Sequence, residues 1–230
     1  MESSPFFYYS DSMIQAAIFD MDGLLFDTER LCTDAWKTVS SERGFSMPDS
    51  LFRSCVGLNN RDTRTKVLST MGGDFPYEEF ADQTRTWMRV RMDENGPPEK
   101  PGIRALFGYL RNAGVPIGLA TSTSEPSARW MIEKAGLESW FSAFAFGSEV
   151  ATGKPAPDIF LLARDRLGVS DSSACVVFED SPAGLRAAHA AGMRPVHVPD
   201  MVEVSPEIQK LVWKTISSLE EAAHDSFFRY

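Results

Sequence analysis

The feature that most constrains the fold is an apolar segment that ends in a pair of aspartates. Ile14 and residues 16–19 form a nearly continuous apolar run, which is typical of a strand buried on both faces of a parallel sheet. Asp20 and Asp22 follow it directly, and Gly23 permits a sharp turn. Because ligands bind at the carboxyl ends of strands in an open α/β sheet, these carboxylates are placed to hold a divalent cation or to attack phosphorus. The alternative interpretation is a strand followed by an ordinary Asp-Gly turn.

The composition is that of a soluble globular protein with one domain, or one domain carrying a smaller insert. The 230 residues are 43% hydrophobic and 24% charged. A formal net charge of −9 disfavours nucleic acid and anionic membranes as partners, and no apolar run is long enough for a transmembrane helix. Three widely spaced cysteines indicate reduced thiols, and the first residues lack the pattern of a signal peptide. We therefore expect a cytoplasmic protein and a monomer.

The remaining chain divides into an all-helical block and a region where helices and strands alternate. Helical spacing prevails from about residue 30 to 95, with no convincing strand. Further strands are predicted at residues 115–120, 141–146, 174–178 and 195–198, with helices between them and a helical tail after the last. Such alternation predicts βαβ units around a parallel sheet.

These patterns predict an α/β fold built as a Rossmann-like parallel-sheet core with an inserted all-helical cap domain. The core comprises residues 14–29 and 97–225, and the cap comprises residues 30–96. Residues 1–13 precede the first strand and could be a disordered extension. Because the helical block follows the first strand directly, it lies just beyond the carboxyl end of the sheet.

Polar residues also follow three other predicted strands. Thr121 and Ser122 come after the second strand, where hydroxyls and backbone N–H groups suit a phosphate; a plain helix N-cap is the alternative. Lys154 lies in a loop before a helix, where a solvated charge is the ordinary interpretation. Glu179 and Asp180 end a later strand, although Asp180 could be a simple helix cap.

In this order, the motifs resemble the haloacid dehalogenase (HAD) superfamily, in the branch with a small helical cap that includes β-phosphoglucomutase and many sugar-phosphate phosphatases. The resemblance covers roughly residues 14–200, and its motifs are specific as a set. They are Asp20-Met21-Asp22-Gly23, Ala120-Thr121-Ser122, Gly153-Lys154-Pro155 and Phe178-Glu179-Asp180-Ser181.

The resemblance implies a role for each of these residues in phosphoryl transfer. Asp20 is the expected nucleophile, which forms an aspartyl-phosphate, and Asp22 is the expected general acid and then base. Thr121, Ser122 and Lys154 are expected to bind the transferring phosphoryl group, with Lys154 also restraining Asp20 as part of the catalytic set.

The resemblance also implies a Mg²⁺ site and a cap that selects the substrate. Mg²⁺ is expected on the carboxylates of Asp20 and Asp180 and the backbone carbonyl of Asp22, with Glu179 bound directly or through water. Arg61 lies near the place where this branch puts a cap loop that faces the substrate. It could hold a second substrate group, and a solvated arginine is an equal alternative.

The favoured function is a Mg²⁺-dependent phosphatase acting on a small phosphorylated metabolite, such as a sugar or polyol phosphate. A β-phosphoglucomutase-like isomerase is the alternative, disfavoured because Cys32 stands where mutases of the family carry a histidine. The presence of Asp22 disfavours haloacid dehalogenation, which needs no such acid. A phosphonatase would need a cap lysine that forms a Schiff base, and neither Lys37 nor Lys66 lies in a recognisable sequence context for that role. A non-catalytic phosphate-binding module is less favoured still, since no motif residue is replaced.

Overall fold

The computed structural model describes residues 13–56 and 60–228 as two compact units. One unit contains residues up to Phe26 and from Glu99 onward, and the other contains Asp27–Pro98. The predicted N-terminal extension, apart from Met13, lies outside the described residues.

The first unit is built on a six-stranded parallel sheet with the order β3-β2-β1-β4-β5-β6. The predicted Rossmann-like α/β fold is therefore confirmed. The strands are β1 (Ala16–Phe19), β2 (Ile117–Thr121), β3 (Ala143–Phe146), β4 (Cys175–Glu179), β5 (Arg194–His197) and β6 (Lys214–Thr215). The helices of this unit are α5 (Ile103–Asn112), α6 (Glu125–Lys134), α7 (Asp158–Arg166), α8 (Pro182–Ala190) and α9 (Pro206–Gln209).

The central strand β1 is buried on both faces, as its continuous apolar sequence predicts. Ile18 belongs to the apolar cluster formed with α7 and α8. Phe19, its neighbour in the strand, stacks on Phe178 at 4.7 Å and meets Phe107 of α5 edge to face at 5.0 Å. Because successive side chains of a strand point to opposite faces, helices cover both sides of the sheet.

The predicted helical tail is wrong. After the short helix α9, the chain forms β6, which pairs with β5 through Val196 opposite Lys214 and His197 opposite Thr215. Two 3-10 turns follow, at Leu219–Ala222 and Asp225–Phe227. The segment around residues 212–216 is rich in β-branched and aromatic residues, and these favour the strand added at the sheet edge over a helix.

The second unit contains only helices among its described residues, in agreement with the predicted helical insertion. They are α1 (Thr28–Glu42), α2 (Asp49–Arg53), α3 (Asn60–Met71) and α4 (Tyr77–Asn95). Their core is aromatic: Trp36 meets Phe52 and Phe80 edge to face, at 5.4 and 5.3 Å. Both Trp36 and Phe80 are buried, so these two rings pack in the core of the helical unit and are not exposed for a ligand to stack on.

No helix in the described part of the chain is both long enough and apolar enough to cross a membrane.

Candidate active site

The turn after β1 brings three aspartates together. The Gly23 N–H donates to Phe26 O at 2.9 Å and so closes a tight loop directly after Asp20 and Asp22. Gly23 has φ of 81°, and a Cβ there would overlap the carboxylate of Asp180. Only glycine both adopts this conformation readily and leaves room for that carboxylate.

Strand order explains why these groups meet. β1 lies between β2 and β4, so Asp20, just after β1, is flanked by the strand ends Thr121 and Glu179. The Asp20 N–H donates to Phe178 O at 3.1 Å, which continues the pairing of β1 with β4. All three are buried, although polar residues of these types are usually exposed.

Lys154 is buried against two carboxylates. Its ammonium contacts Asp20 Oδ1, lies 2.7 Å from Glu179 Oε1, and lies 3.3 Å from the backbone oxygen of Ala120. The side chain is only 7% exposed. Lys154 is therefore not a solvated loop lysine. It forms ion pairs that link the loop before α7 to the ends of β1 and β4.

Glu179 is held on both of its oxygens. Oε1 accepts from Lys154, while Oε2 accepts from the backbone N–H of Ser181 at 2.7 Å and from its hydroxyl at 2.9 Å. The Ser181 hydroxyl oxygen in turn accepts from Gly184 N–H at 3.1 Å and so caps α8. Ser181 fills the capping position, and the alternative role of Asp180 as a helix cap is excluded.

The acidic groups carry more negative charge than Lys154 can balance. Burial, reinforced by the charge of Glu179, raises the pKa of Asp20 to about 7 despite the opposing effect of Lys154. Burial and the charges of Glu179 and Asp20 also raise the pKa of Asp180 well above its usual value. For Lys154, burial disfavours the charged form, but its carboxylate partners outweigh burial and raise the pKa.

The carboxylate of Asp180 is suited to a cation. Asp180 Oδ1 is buried and has no hydrogen-bond partner among the described residues, and such a group carries a large desolvation cost. In residues 13–56 and 60–228, no group of three or more His, Cys, Asp or Glu side chains is arranged so that it could hold a metal ion. Asp20 and Asp180 nevertheless lie near enough for the charge of Asp20 to raise the pKa of Asp180, and carboxylate oxygens are the ligands that suit a hard cation.

The polar residues after β2 are linked to Asp22. Thr121 is buried, and its Oγ1 accepts from the backbone N–H of Thr123 at 3.0 Å. Thr123 Oγ1 donates to Asp22 Oδ2 at 2.6 Å. Ser122 is exposed, and Ser124 occupies the N-cap position of α6. Neither Thr121 nor Ser122 is therefore the cap of that helix.

Thr123 is a residue of the site that the sequence patterns missed. Thr123 belongs to the same run of polar residues as Thr121 and Ser122, and the sequence of this run does not predict which of the hydroxyls contacts the residues after β1. Its partner, Asp22, lies 101 residues away in the chain.

The two remaining candidates, Arg61 and Cys32, belong to the helical unit. Arg61 is exposed in the first turn of α3, and its proposed contact with a substrate stays a prediction. Cys32 is half-buried in α1, and burial together with the charge of Glu29 raises the pKa of its thiol to about 12. The Cys32 thiol is thus protonated at neutral pH.

Comparison with known proteins gives a consistent family assignment. The family described as haloacid dehalogenase-like hydrolase matches residues 14–192. The "Phosphorylated carbohydrates phosphatase" of Thermotoga maritima is 32% identical over 184 residues, covering 80% of this chain and 84% of the relative. The "Probable pseudouridine-5'-phosphatase" of Drosophila melanogaster is 35% identical over 217 residues, covering 91% of this chain and 92% of the relative.

The fold is also shared with a solved mutase structure. The crystal structure of β-phosphoglucomutase from Clostridium difficile superposes with a TM-score of 0.71 at 25% identity, covering 91% of this chain and 93% of that one.

Proposed function

Because this chain belongs to the haloacid dehalogenase-like hydrolase family and is a phosphatase within it, we propose that its substrate is a small phosphorylated metabolite of the sugar or polyol phosphate class. We further propose that the reaction passes through an aspartyl-phosphate on Asp20 and depends on Mg²⁺. The relatives named as phosphatases of carbohydrate and nucleoside phosphates support this substrate class.

One observation carries the mechanism: Lys154 is buried between Asp20 and Glu179, with Asp22 two residues from the nucleophile. A buried ion pair costs desolvation energy and contributes little to stability by itself. A buried ammonium beside a carboxylate is useful where a phosphoryl group must be bound and its charge balanced in the transition state.

In the first step, the Asp20 carboxylate attacks phosphorus and the bond from phosphorus to the ester oxygen breaks. Asp22, in its protonated form, donates its proton to that oxygen, so the alcohol leaves and the phosphoryl group remains on Asp20. Lys154 contacts Asp20 Oδ1 and so restrains the nucleophile.

In the second step, water attacks the same phosphorus and Asp22 accepts its proton. The bond between Asp20 and phosphorus breaks, and inorganic phosphate leaves. Asp22 ends protonated and Asp20 ends as a carboxylate, so the enzyme is ready for another turnover. One residue thus acts as acid and then as base.

The residues present fit a bound Mg²⁺, which when present would offset the charge on phosphate and nucleophile. Asp20 and Asp180 would supply carboxylate oxygens and Asp22 its backbone carbonyl. Glu179 already binds Lys154 and Ser181, so a water between Glu179 and the cation would preserve those contacts.

Thr121, Ser122 and Lys154 would bind the phosphoryl oxygens. Thr121 Oγ1 accepts a hydrogen bond from Thr123 N–H, and a hydroxyl that accepts one bond can still donate its own hydrogen. That hydrogen would go to a phosphoryl oxygen. For Arg61, both interpretations from the sequence stay open: contact with a second substrate group, and a solvated arginine at the start of a helix.

The isomerase alternative requires a phosphoenzyme that resists water until a sugar is bound. In the mutases that this chain resembles, a histidine of the first cap helix helps to gate the general acid. Cys32 takes its place, and a thiol with a pKa of about 12 is a poor proton carrier at neutral pH. This observation favours hydrolysis over isomerisation.

The test is a screen of the purified chain with Mg²⁺ against a panel of phosphorylated metabolites, with inorganic phosphate as the readout. A parallel assay supplies β-glucose 1-phosphate with a trace of the bisphosphate and follows glucose 6-phosphate and phosphate together. We expect phosphate release to dominate. Faster accumulation of isomerised sugar would establish the mutase instead. The expectations of a monomer and of a cytoplasmic location stay predictions.

A further inference from the structure

The contact between Thr123 and Asp22 joins a residue without an assigned role to the proposed acid and base. Thr123 Oγ1 donates to Asp22 Oδ2 at 2.6 Å, within the normal range of an O–H···O hydrogen bond. Both residues belong to the sheet-containing unit, so the contact is made within that unit alone.

We propose that Thr123 is a positioning residue that holds the Asp22 carboxylate in place for proton transfer. This inference rests on the proposed function, because it concerns the group that transfers the proton. It assigns the hydroxyl of Thr123 to the acid–base machinery and not to the phosphate-binding set.

A hydroxyl is chemically suited to this task. Its single hydrogen is directed at one carboxylate oxygen of Asp22, Oδ2. Because a hydroxyl is neutral, this contact restrains the Asp22 carboxylate without adding a charge to the site.

The position of Thr123 is itself fixed. Its backbone N–H donates to Thr121 Oγ1 at 3.0 Å, and Thr121 is buried at the end of β2. Because β2 pairs directly with β1, this hydrogen bond ties the loop after β2 to the sheet that carries Asp20 and Asp22. The side-chain hydroxyl of Thr123 takes no part in this backbone turn, so its removal need not disturb the loop.

The test compares Thr123→Val, which removes the hydroxyl at nearly constant shape, with Thr123→Ser, which keeps it. With para-nitrophenyl phosphate and saturating Mg²⁺, we expect Thr123→Val to lower kcat by about 10- to 100-fold, a part of the effect ascribed to general acid–base catalysis. Thr123→Ser should recover most of the rate, and KM should change little in either variant. Ser127→Ala, which removes an exposed hydroxyl bound to Ser124, serves as the matched control.

A double-mutant cycle separates positioning from a general structural effect. In an Asp22→Asn background, Thr123→Val should cause almost no further loss, because both changes remove the same function. Equal losses in both backgrounds, or a loss confined to KM, would overturn the inference.

A structural readout keeps the inference testable whatever the activity. Crystal structures should show the Asp22 carboxylate displaced in Thr123→Val and unmoved in Thr123→Ser. An unmoved carboxylate in both variants, together with an unchanged kcat, would also overturn it. Failure of the proposed function looks different: the wild-type chain would then release no phosphate from any ester, while the crystallographic comparison would still report on Thr123.

Discussion

The carboxylate of Glu179, at the end of β4, lies directly against the backbone of Gly184 in the first turn of α8, where a Cβ would overlap its Oε1 and Cδ atoms. The helix start thus forms one wall around a side chain that also binds Lys154 and Ser181. The requirement for glycine at residue 184 comes from this close approach and not from an unusual backbone angle.

Gly184→Ala should displace Glu179 and so loosen Lys154. We expect a loss of stability of about 1 to 3 kcal/mol, as for overpacked sites, together with reduced kcat. Urea unfolding and steady-state kinetics measure the two effects. Gly108→Ala in α5 is the control, because a Cβ there meets nothing within 4 Å; it should be neutral or stabilising by up to about 1 kcal/mol. Equal behaviour of the two variants would contradict the close approach.

Activity should require a divalent cation held by Asp180. Chelation with EDTA should abolish phosphate release, and Mg²⁺ should restore it. Asp180→Asn should raise the Mg²⁺ concentration for half-maximal activity by about 10-fold or more, since a charged oxygen ligand is lost. At the same Mg²⁺ concentration, the cation should also raise the Tm of the wild type by more than that of Asp180→Asn. Full activity in EDTA would refute the site.

The two aspartates after β1 should differ in their effects. Asp20→Asn should abolish turnover and any trapped acyl-phosphate, because the nucleophile is lost. Asp22→Asn should slow turnover by about 10²- to 10⁴-fold, with a smaller effect on the first step for an aryl phosphate, whose leaving group needs little protonation. Asp165→Asn, at an exposed carboxylate bound to Arg164, is the control. An Asp20→Asn enzyme with a near-normal rate would rule out the mechanism.

An ion pair at the edge strand β3 should make stability depend on acidity. Arg166 binds both oxygens of Glu149 and also donates to Phe144 O, while Glu149 accepts from Phe146 N–H. Hydrogen bonds from Arg166, followed by the bond from Phe146, outweigh the small effect of burial and lower the pKa of Glu149 to about 2. A lowered folded-state pKa means that this stabilisation is complete above the unfolded-state value of about 4.5 and is lost as pH falls toward about 2.

Glu149→Gln should therefore lower the free energy of unfolding by about 1 kcal/mol or less at pH 7, the range for partly exposed pairs. The difference from wild type should shrink between about pH 4.5 and pH 2, as measured by urea unfolding. Glu133→Gln, on the exposed side of α6, should show no such trend. A difference that stays constant with pH would show that the pair contributes nothing through its charge.

Much of the core was predictable from local sequence patterns. The apolar run before Asp20 and the later alternation of helices and strands are properties of neighbouring residues, and they predict a parallel sheet with polar residues at its carboxyl edge. The helices found among the described residues between 30 and 95 were predictable for the same reason. The tail was mispredicted, because apolar residues at helical spacing there coincide with a two-residue strand, too short to show a period of its own.

Only the tertiary structure decided how the site residues are partnered. Local patterns alone allow Lys154 to be a solvated loop lysine and Asp180 a helix cap, and their roles in the site were implied only by the resemblance of the motifs. Thr123 is one hydroxyl in a polar run. Their roles depend on contacts between residues far apart in the chain: Lys154 lies 134 residues from Asp20, and Thr123 lies 101 residues from Asp22. Periodicity and propensity describe only nearby residues. Burial, pKa shifts and hydrogen-bond partners arise from strand order and loop paths, which bring distant segments together.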